Sequence, residues 1–257
     1  MSLTHHILYD VTTAFDHYQV VETIYRGRPS RVLFSSDTEA AQSGVALDDN
    51  PELLFEYVQR FLELGVNLQP ARSLLIGGGA MTLPKGLHRD LGDFSLDVLE
   101  PDDVLLEIAT KYFSFEEWPG FHCFLTDGRQ FLQETDARYD LIVIDAFSDL
   151  AVPHDLKTAE AVKAFADHLT DDGVIAMNVI GSLRGRGALA VTNLIAGFQT
   201  AFDNIGLFPA ENLQDDWQNQ NYLLLASRSQ KELRPLMRYA PIDLSDVEIG
   251  PPLHDVV

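Results

Sequence analysis

The sequence predicts an α/β protein in which a doubly wound, mostly parallel sheet follows a small N-terminal β-sheet domain. From residue 72 onward, short apolar runs alternate with longer helical stretches, which is the pattern of a parallel sheet with crossover helices. Before residue 48, short and partly alternating apolar runs are separated by turn residues, which is typical of antiparallel strands. We therefore expect a β domain at 1–48, an α/β domain at 49–230 and a C-terminal tail at 231–257.

The N-terminal part is expected to form strands followed by one helix. "HYQVVETIY" and "RVLFSS" are predicted strands around the turn "RGRPS", and "SGVAL" is a third strand. In "NPELLFEYVQRFLELG", Asn50 is the expected helix N-cap, Pro51 the first helical residue and Gly65 the end. Apolar residues recur there at helical spacing, so we expect an amphipathic helix.

The α/β part is predicted element by element. The alternating strands are "RSLLIG", "FSLDVLE", "FHCFLTD", "YDLIVIDAF" and "GVIAMNVI". After the last helix comes "IGLFPA", and "NYLLLASRS" then closes the sheet. The helices fall near 81–91, 101–113, 128–135, 158–170 and 187–204. The tail, which includes "DLSDVEIGPPLHDVV", is expected to pack loosely.

Composition limits the classes of partner. The net charge is −21, from 39 acidic and 18 basic residues, which argues against a nucleic-acid partner. The same charge is compatible with a cationic substrate, or serves only solubility. No apolar run is long enough to span a membrane, and the start lacks a signal-peptide pattern, so we expect a cytoplasmic protein. One cysteine and no helical histidine–acid spacing predict no metal site.

Residues that follow the first two parallel strands point to a nucleotide-like ligand. Gly77, Gly78 and Gly79 end the first strand, and Glu100 ends the second. Glycines permit close approach of a ligand, and a carboxylate at the end of the next strand can accept hydrogen bonds from both ribose hydroxyls. The alternatives are a tight turn with close helix–strand packing and a solvated carboxylate.

The next two strand ends also carry acids. Asp127 and Gly128 follow the third strand, where the carboxylate can accept from the exocyclic amine of an adenine or cap a helix. Asp145 and Asp149 follow the fourth, where a partly desolvated pair suits a general base or a cation site, or else a loop of helix-capping acids. Together the four sites predict a sheet of the S-adenosylmethionine-dependent methyltransferase type, with a sulfonium nucleoside at the glycines.

These motifs resemble the spermidine synthase (polyamine aminopropyltransferase) family from about residue 17 to about 227. "HYQVVETI", "LLIGGG", "DVLEPDDVLLEIATKYF", "TDGRQFL" and "YDLIVIDAFSDLAVP" are similar, in order and spacing, to the family's segments. The resemblance implies aminopropyl transfer from decarboxylated S-adenosylmethionine to a polyamine such as putrescine, giving spermidine and methylthioadenosine, with no permanently bound cofactor. It also implies a homodimer.

The resemblance further implies residue roles. Gln19, Glu100 and Asp127 with Gly128 would contact the nucleoside, Asp145 would accept the proton of the attacking amine, and Asp149 would help to bind the polyamine.

One departure keeps two alternatives open. Ala80-Met81-Thr82 stands where the family has Asp-Gly-Gly, which removes the carboxylate expected to bind the aminopropyl amine. Because alanine would tolerate a donor carboxylate, a methyltransferase using intact S-adenosylmethionine is the first alternative. A catalytically silent member that binds nucleosides is the second.

Overall fold

The first sheet of the molecule is antiparallel and has one strand more than predicted. The computed structural model describes residues 5–35, 40–48, 53–147, 152–211 and 215–255. The strands run in the order β1 (His6–Thr12), β2 (His17–Tyr25), β3 (Arg28–Ser35) and β4 (Ala40–Ala46). The prediction missed β1, an edge strand that is largely exposed and so lacks a strong apolar signal. The turn between β2 and β3 is also shorter than predicted. It consists of Arg26 and Gly27, whose φ angles of 48° and 82° are both positive, as a two-residue hairpin turn requires.

The second sheet confirms the predicted doubly wound, mostly parallel arrangement. Its order is β10-β11-β9-β8-β5-β6-β7, and β10 and β11 are the antiparallel members. The strands are β5 (Arg72–Ile76), β6 (Ser95–Leu99), β7 (Phe121–Phe124), β8 (Tyr139–Ile144), β9 (Leu169–Gly181), β10 (Asn204–Pro209) and β11 (Gln220–Ser227). The chain leaves β5 toward β6 on one side and later returns as β8 on the other. Ligands of such sheets bind in the crevice at this reversal.

Six α-helices cover the described parts of the second sheet. They are α1 (Glu56–Leu68), α2 (Thr82–Leu91), α3 (Asp103–Tyr112), α4 (Gly128–Glu134), α5 (Ala159–Asp167) and α6 (Ala188–Gln199). The last two end earlier than predicted, because β9 and β10 begin at Leu169 and Asn204. Side-chain oxygens of Asp102, Asp127 and Thr158 accept hydrogen bonds from backbone amides at the starts of α3, α4 and α5.

The predicted bounds of α1 are wrong at its end. Asn50 and Pro51, the expected start, lie outside the described residues, and α1 begins after Phe55. Gly65 does not end the helix, which continues to Leu68. A Cβ at Gly65 would lie 2.4 Å from Cδ2 of Leu87, so this glycine lets α1 approach α2 closely.

The inner parallel strands β5, β6 and β8 are buried on both faces. In β8, Leu141 and Val143 join one apolar cluster, while Ile142 and Ile144 join the cluster on the opposite face. Within the described residues, no helix has the length and apolar character needed to cross a membrane.

The C-terminal tail is held against the second sheet and its helices. The amide of Ile242 donates to the carbonyl of Leu207 at 2.7 Å, and the carbonyl of Leu253 accepts from Ala159 at 2.8 Å. The expectation of loose packing is therefore wrong for the described part of the tail.

Candidate active site

A cavity of about 760 Å³ lies at the carboxyl ends of the parallel strands. Its floor contains the predicted strand-end residues Gly77–Gly79, Glu100, Asp127, Gly128 and Asp145. The first sheet contributes side chains of β2 and the backbone and side chains of β4 to the opposite side. The structure thus brings these seven predicted residues, from four separate strand ends, to one cavity.

The glycine turn and Glu100 form a single hydrogen-bonded unit. The amides of Gly78 and Gly79 donate to Oε2 of Glu100, at 3.0 and 3.3 Å. Asp102 donates its amide to the other oxygen at 3.2 Å. Burial of the Glu100 carboxyl raises its pKa, and these backbone donors oppose the rise. The Glu100 carboxylate is therefore fixed in place at the cavity wall.

Two of the three glycines, Gly77 and Gly79, are required first by the protein's own packing. A Cβ at Gly77, whose φ is 94°, would lie 2.5 Å from the carbonyl oxygen of Asp145. A Cβ at Gly79, whose φ is 51°, would lie 2.8 Å from Oγ of Ser43. The close-packing interpretation of these glycines is correct, although all of them also line the cavity.

Asp127 and Gly128 occupy the cavity end nearest β7. Oδ1 of Asp127 accepts from the amide of Gln130 at 2.8 Å, so the residue caps α4. Both residues line the cavity, and a Cβ at Gly128 would approach Ile76 to 3.0 Å. Helix capping and an adenine contact are thus compatible at this position.

Asp145 stands at the centre of the cavity floor, within a chain of side-chain hydrogen bonds. Nδ2 of Asn178 donates to Oδ1 of Asp145 at 3.0 Å, and Nδ2 of Asn221 donates to Oδ1 of Asn178 at 3.0 Å. The pKa of Asp145 is raised to about 7, because the effect of desolvation outweighs the opposing effect of the hydrogen bond from Asn178. A carboxylate with a pKa near neutrality is suited to accept a proton from a substrate.

Tyr57 is a cavity residue that the sequence did not identify. It lies in the first turn of α1, lines the cavity, and its hydroxyl is 3.5 Å from the carbonyl oxygen of Gln42. Burial, and then the charge of Asp145, raise the pKa of Tyr57 well above its usual value. Its position in an amphipathic helix pattern gave no signal for function.

One predicted residue, Gln19, is not brought to this cavity. Gln19 is not among the described lining residues, and its Nε2 donates to Oδ2 of Asp10 at 2.7 Å. Because successive side chains of a strand point to opposite faces, Tyr18 lines the cavity instead. The placement therefore does not support a nucleoside contact by Gln19. Asp149 lies outside the described residues.

The cavity is strongly acidic. Seven carboxylate residues and one arginine are found among the described lining residues: Asp16, Glu56, Glu100, Asp127, Asp145, Asp155, Glu211 and Arg26. Enclosed charges of one sign raise the local concentration of an oppositely charged ligand. The cavity is therefore suited to a cation. No group of metal-binding side chains occurs within the described ranges.

The predicted strand-end residues thus meet at one cavity in a sheet of the S-adenosylmethionine-dependent methyltransferase type. No family model matches the sequence. The chain is 29% identical over 134 residues to the polyamine aminopropyltransferase of Vibrio vulnificus, covering 51% of this chain and 45% of that relative. The chain thus spans less than half the length of this relative.

Two solved structures share the fold. A probable spermidine synthase from Corynebacterium glutamicum has a TM-score of 0.75 and 17% identity, with 87% of this chain and 81% of that chain covered. Human methyltransferase-like protein 13 in complex with SAH has a TM-score of 0.57 and 22% identity, with 70% and 83% covered. These comparisons confirm the predicted resemblance to the spermidine synthase (polyamine aminopropyltransferase) family, at low sequence identity.

Proposed function

We propose that the protein transfers an aminopropyl group from decarboxylated S-adenosylmethionine to an amine acceptor such as putrescine. The observation that carries this proposal is the charge of the cavity, in which seven carboxylate residues and one arginine line the described walls. Both co-substrates are cations, because the donor has a sulfonium and a terminal amine but no carboxylate. An acidic cavity stabilises such ligands.

The proposed chemistry uses the two halves of the cavity in turn. Glu100 holds the ribose and Asp127 the adenine of the donor. The acceptor nitrogen attacks the aminopropyl carbon bonded to sulfur, so that a C–N bond forms and the C–S bond breaks. The electron pair of that bond stays on sulfur, which leaves as the neutral thioether of methylthioadenosine. The Asp145 carboxylate accepts the proton lost by the amine.

Methyl transfer from intact S-adenosylmethionine is the second candidate function. The alanine at position 80 removes the family's aspartate, which would repel the donor carboxylate, but Ala80 is not among the described residues that line the cavity. Ala80 is fully buried in a cluster with Tyr18 and Leu33, and its amide donates to Oγ of Ser43 at 3.1 Å. The similarity to the SAH-bound human methyltransferase-like protein is compatible with this candidate. A catalytically silent nucleoside-binding protein is the third.

The same proposal includes a homodimer in the cytoplasm. Within the described residues, β1 pairs through one edge only, with β2. An edge strand with unpaired backbone groups is available to a second copy of the chain.

The test is a transfer assay on Asp145→Asn. Wild-type protein with decarboxylated S-adenosylmethionine and putrescine should release methylthioadenosine and spermidine in equal amounts. Asp145→Asn should lower the rate at least about 100-fold, because proton acceptance is lost, and leave methylthioadenosine binding nearly unchanged.

A matched control is Asp167→Asn, a surface carboxylate paired with Lys163 and Arg228. It should transfer at the wild-type rate. Normal turnover by Asp145→Asn would show that the base is wrongly assigned. If the wild-type protein transferred methyl groups but no aminopropyl groups, the proposed reaction would be wrong.

A further inference from the structure

The order of strands places Asp145 between two parts of the cavity. Gly77–Gly79, Glu100 and Asp127 follow β5, β6 and β7 on one side. On the other side, beyond β9 and β11, Glu211 follows β10 at the sheet edge. At the usual spacing of neighbouring strands, this edge is roughly 14 Å from β8. The nucleoside fills the first side, so the second side is where an acceptor amine extends away from Asp145.

Arg26 occupies the far end of this acceptor side. Its Nη1 lies 2.6 Å from Oε2 of Glu56 and 3.6 Å from Oε1 of Glu211. The guanidinium carbon lies 5.9 Å from the ring centroid of Tyr25. Arg26 is also one of four described non-glycine residues with positive φ, a conformation that costs about 1–2 kcal/mol for L-residues. The hairpin turn therefore holds the Arg26 guanidinium beside the carboxylates of Glu56 and Glu211, at a cost in backbone conformational energy.

The ion cluster leaves one negative charge for a substrate. Arg26, Glu56 and Glu211 together carry one positive and two negative charges. An acceptor with one ammonium beyond the reacting nitrogen balances the remaining charge. A second distal ammonium is repelled by the guanidinium that already occupies the carboxylates.

We propose that Arg26 is a specificity-determining residue that favours diamine over triamine acceptors by holding an internal cation against Glu56 and Glu211. This inference rests on the proposed amine-acceptor function and goes beyond it, because it assigns the length and charge of the acceptor to a residue of the hairpin. Arg26 does not take part in the transfer step.

The experiment measures amine binding separately from turnover. Wild type, Arg26→Met, Arg26→Lys and Arg28→Met are titrated calorimetrically with putrescine and with spermidine, each with methylthioadenosine bound. Arg28 is the matched control, because it belongs to the same hairpin but its salt bridge, at 2.7 Å, is with Asp48. Neither Arg28 nor Asp48 is among the described residues that line the cavity.

Arg26→Met should raise the affinity for spermidine relative to putrescine about fivefold, which is the upper range for a half-exposed ion pair. Arg26→Lys and Arg28→Met should keep the wild-type ratio. If Arg26→Met binds amines with the wild-type ratio of spermidine to putrescine affinity, the proposed role of Arg26 is wrong, but the amine-acceptor function still stands. Absence of amine binding in every protein would overturn the amine-acceptor function itself, and with it this inference.

Discussion

The two halves of the cavity are built in different ways. The nucleoside half is held by backbone groups, since glycine amides bind Glu100 and the Asp127 side chain caps its own helix. The proposed acceptor half is assembled from the side chains of Arg26, Glu56 and Glu211, which are far apart in the chain. The first half is thus held by backbone amides, whereas the second depends on ion pairs between side chains and can change specificity with few substitutions.

Gly77→Ala is expected to have the largest effect on stability and activity, because Gly77 packs directly against the backbone of Asp145. The new Cβ would lie 2.5 Å from the Asp145 carbonyl oxygen, and φ at this position is 94°. We expect the free energy of unfolding to fall by about 2–4 kcal/mol, from backbone strain and overpacking. Denaturant unfolding measures the loss. Methylthioadenosine affinity and amine transfer should fall together.

Gly27→Ala is the matched control for backbone strain alone. Its φ is 82°, but no atom lies within 4 Å of a Cβ built there. It should cost only about 1 kcal/mol. Equal losses in the two variants would show that contact between the glycine turn and the Asp145 backbone is unimportant.

Asp145→Asn should also change the dependence of stability on pH. The folded pKa is about 7, against an ordinary value of 3.8, so the wild type loses stability as pH rises from about 4 to about 7. The amide does not titrate and therefore avoids this loss. Above pH 7 the variant should be more stable by on the order of a few kcal/mol, and the difference should shrink toward pH 4. Thermal unfolding at several pH values measures it, and a difference independent of pH would contradict the raised pKa.

Asn178→Leu should have the smallest effect on activity, because it changes the hydrogen bonding of Asp145 and leaves its carboxylate in place. Loss of the donor to Oδ1 raises the pKa of Asp145, so the midpoint of kcat/KM against pH should move upward by up to about 1 pH unit. Asn221→Leu, which removes a bond to Asn178 rather than to the carboxylate, should move it less. A lower rate with an unmoved midpoint would assign Asn178 a purely structural role.

The same difference between the halves explains what the sequence could predict. Gly77–Gly79, Glu100 and Asp127 each follow an apolar run, so strand-end reasoning found them without knowledge of contacts. The inner strands of the second sheet were predicted, because strands buried on both faces are continuous apolar runs.

Other features gave weak or ambiguous signals. The exposed edge strand β1 carries little apolar pattern. Gln19 was expected from the family resemblance, whereas the structure places the neighbouring Tyr18 at the cavity, because a strand's pattern does not say which face meets a ligand. Arg26 and Tyr57 reach the cavity through tertiary contacts that no local motif encodes.

Calorimetric titration with decarboxylated and intact S-adenosylmethionine tests the central claim most directly. The acidic cavity predicts tighter binding of the decarboxylated form, because its tail carries an amine and no carboxylate. Tighter binding of the intact form would contradict aminopropyl transfer and favour a methyltransferase. Binding of neither form would contradict both reactions and leave a protein that is silent toward these donors.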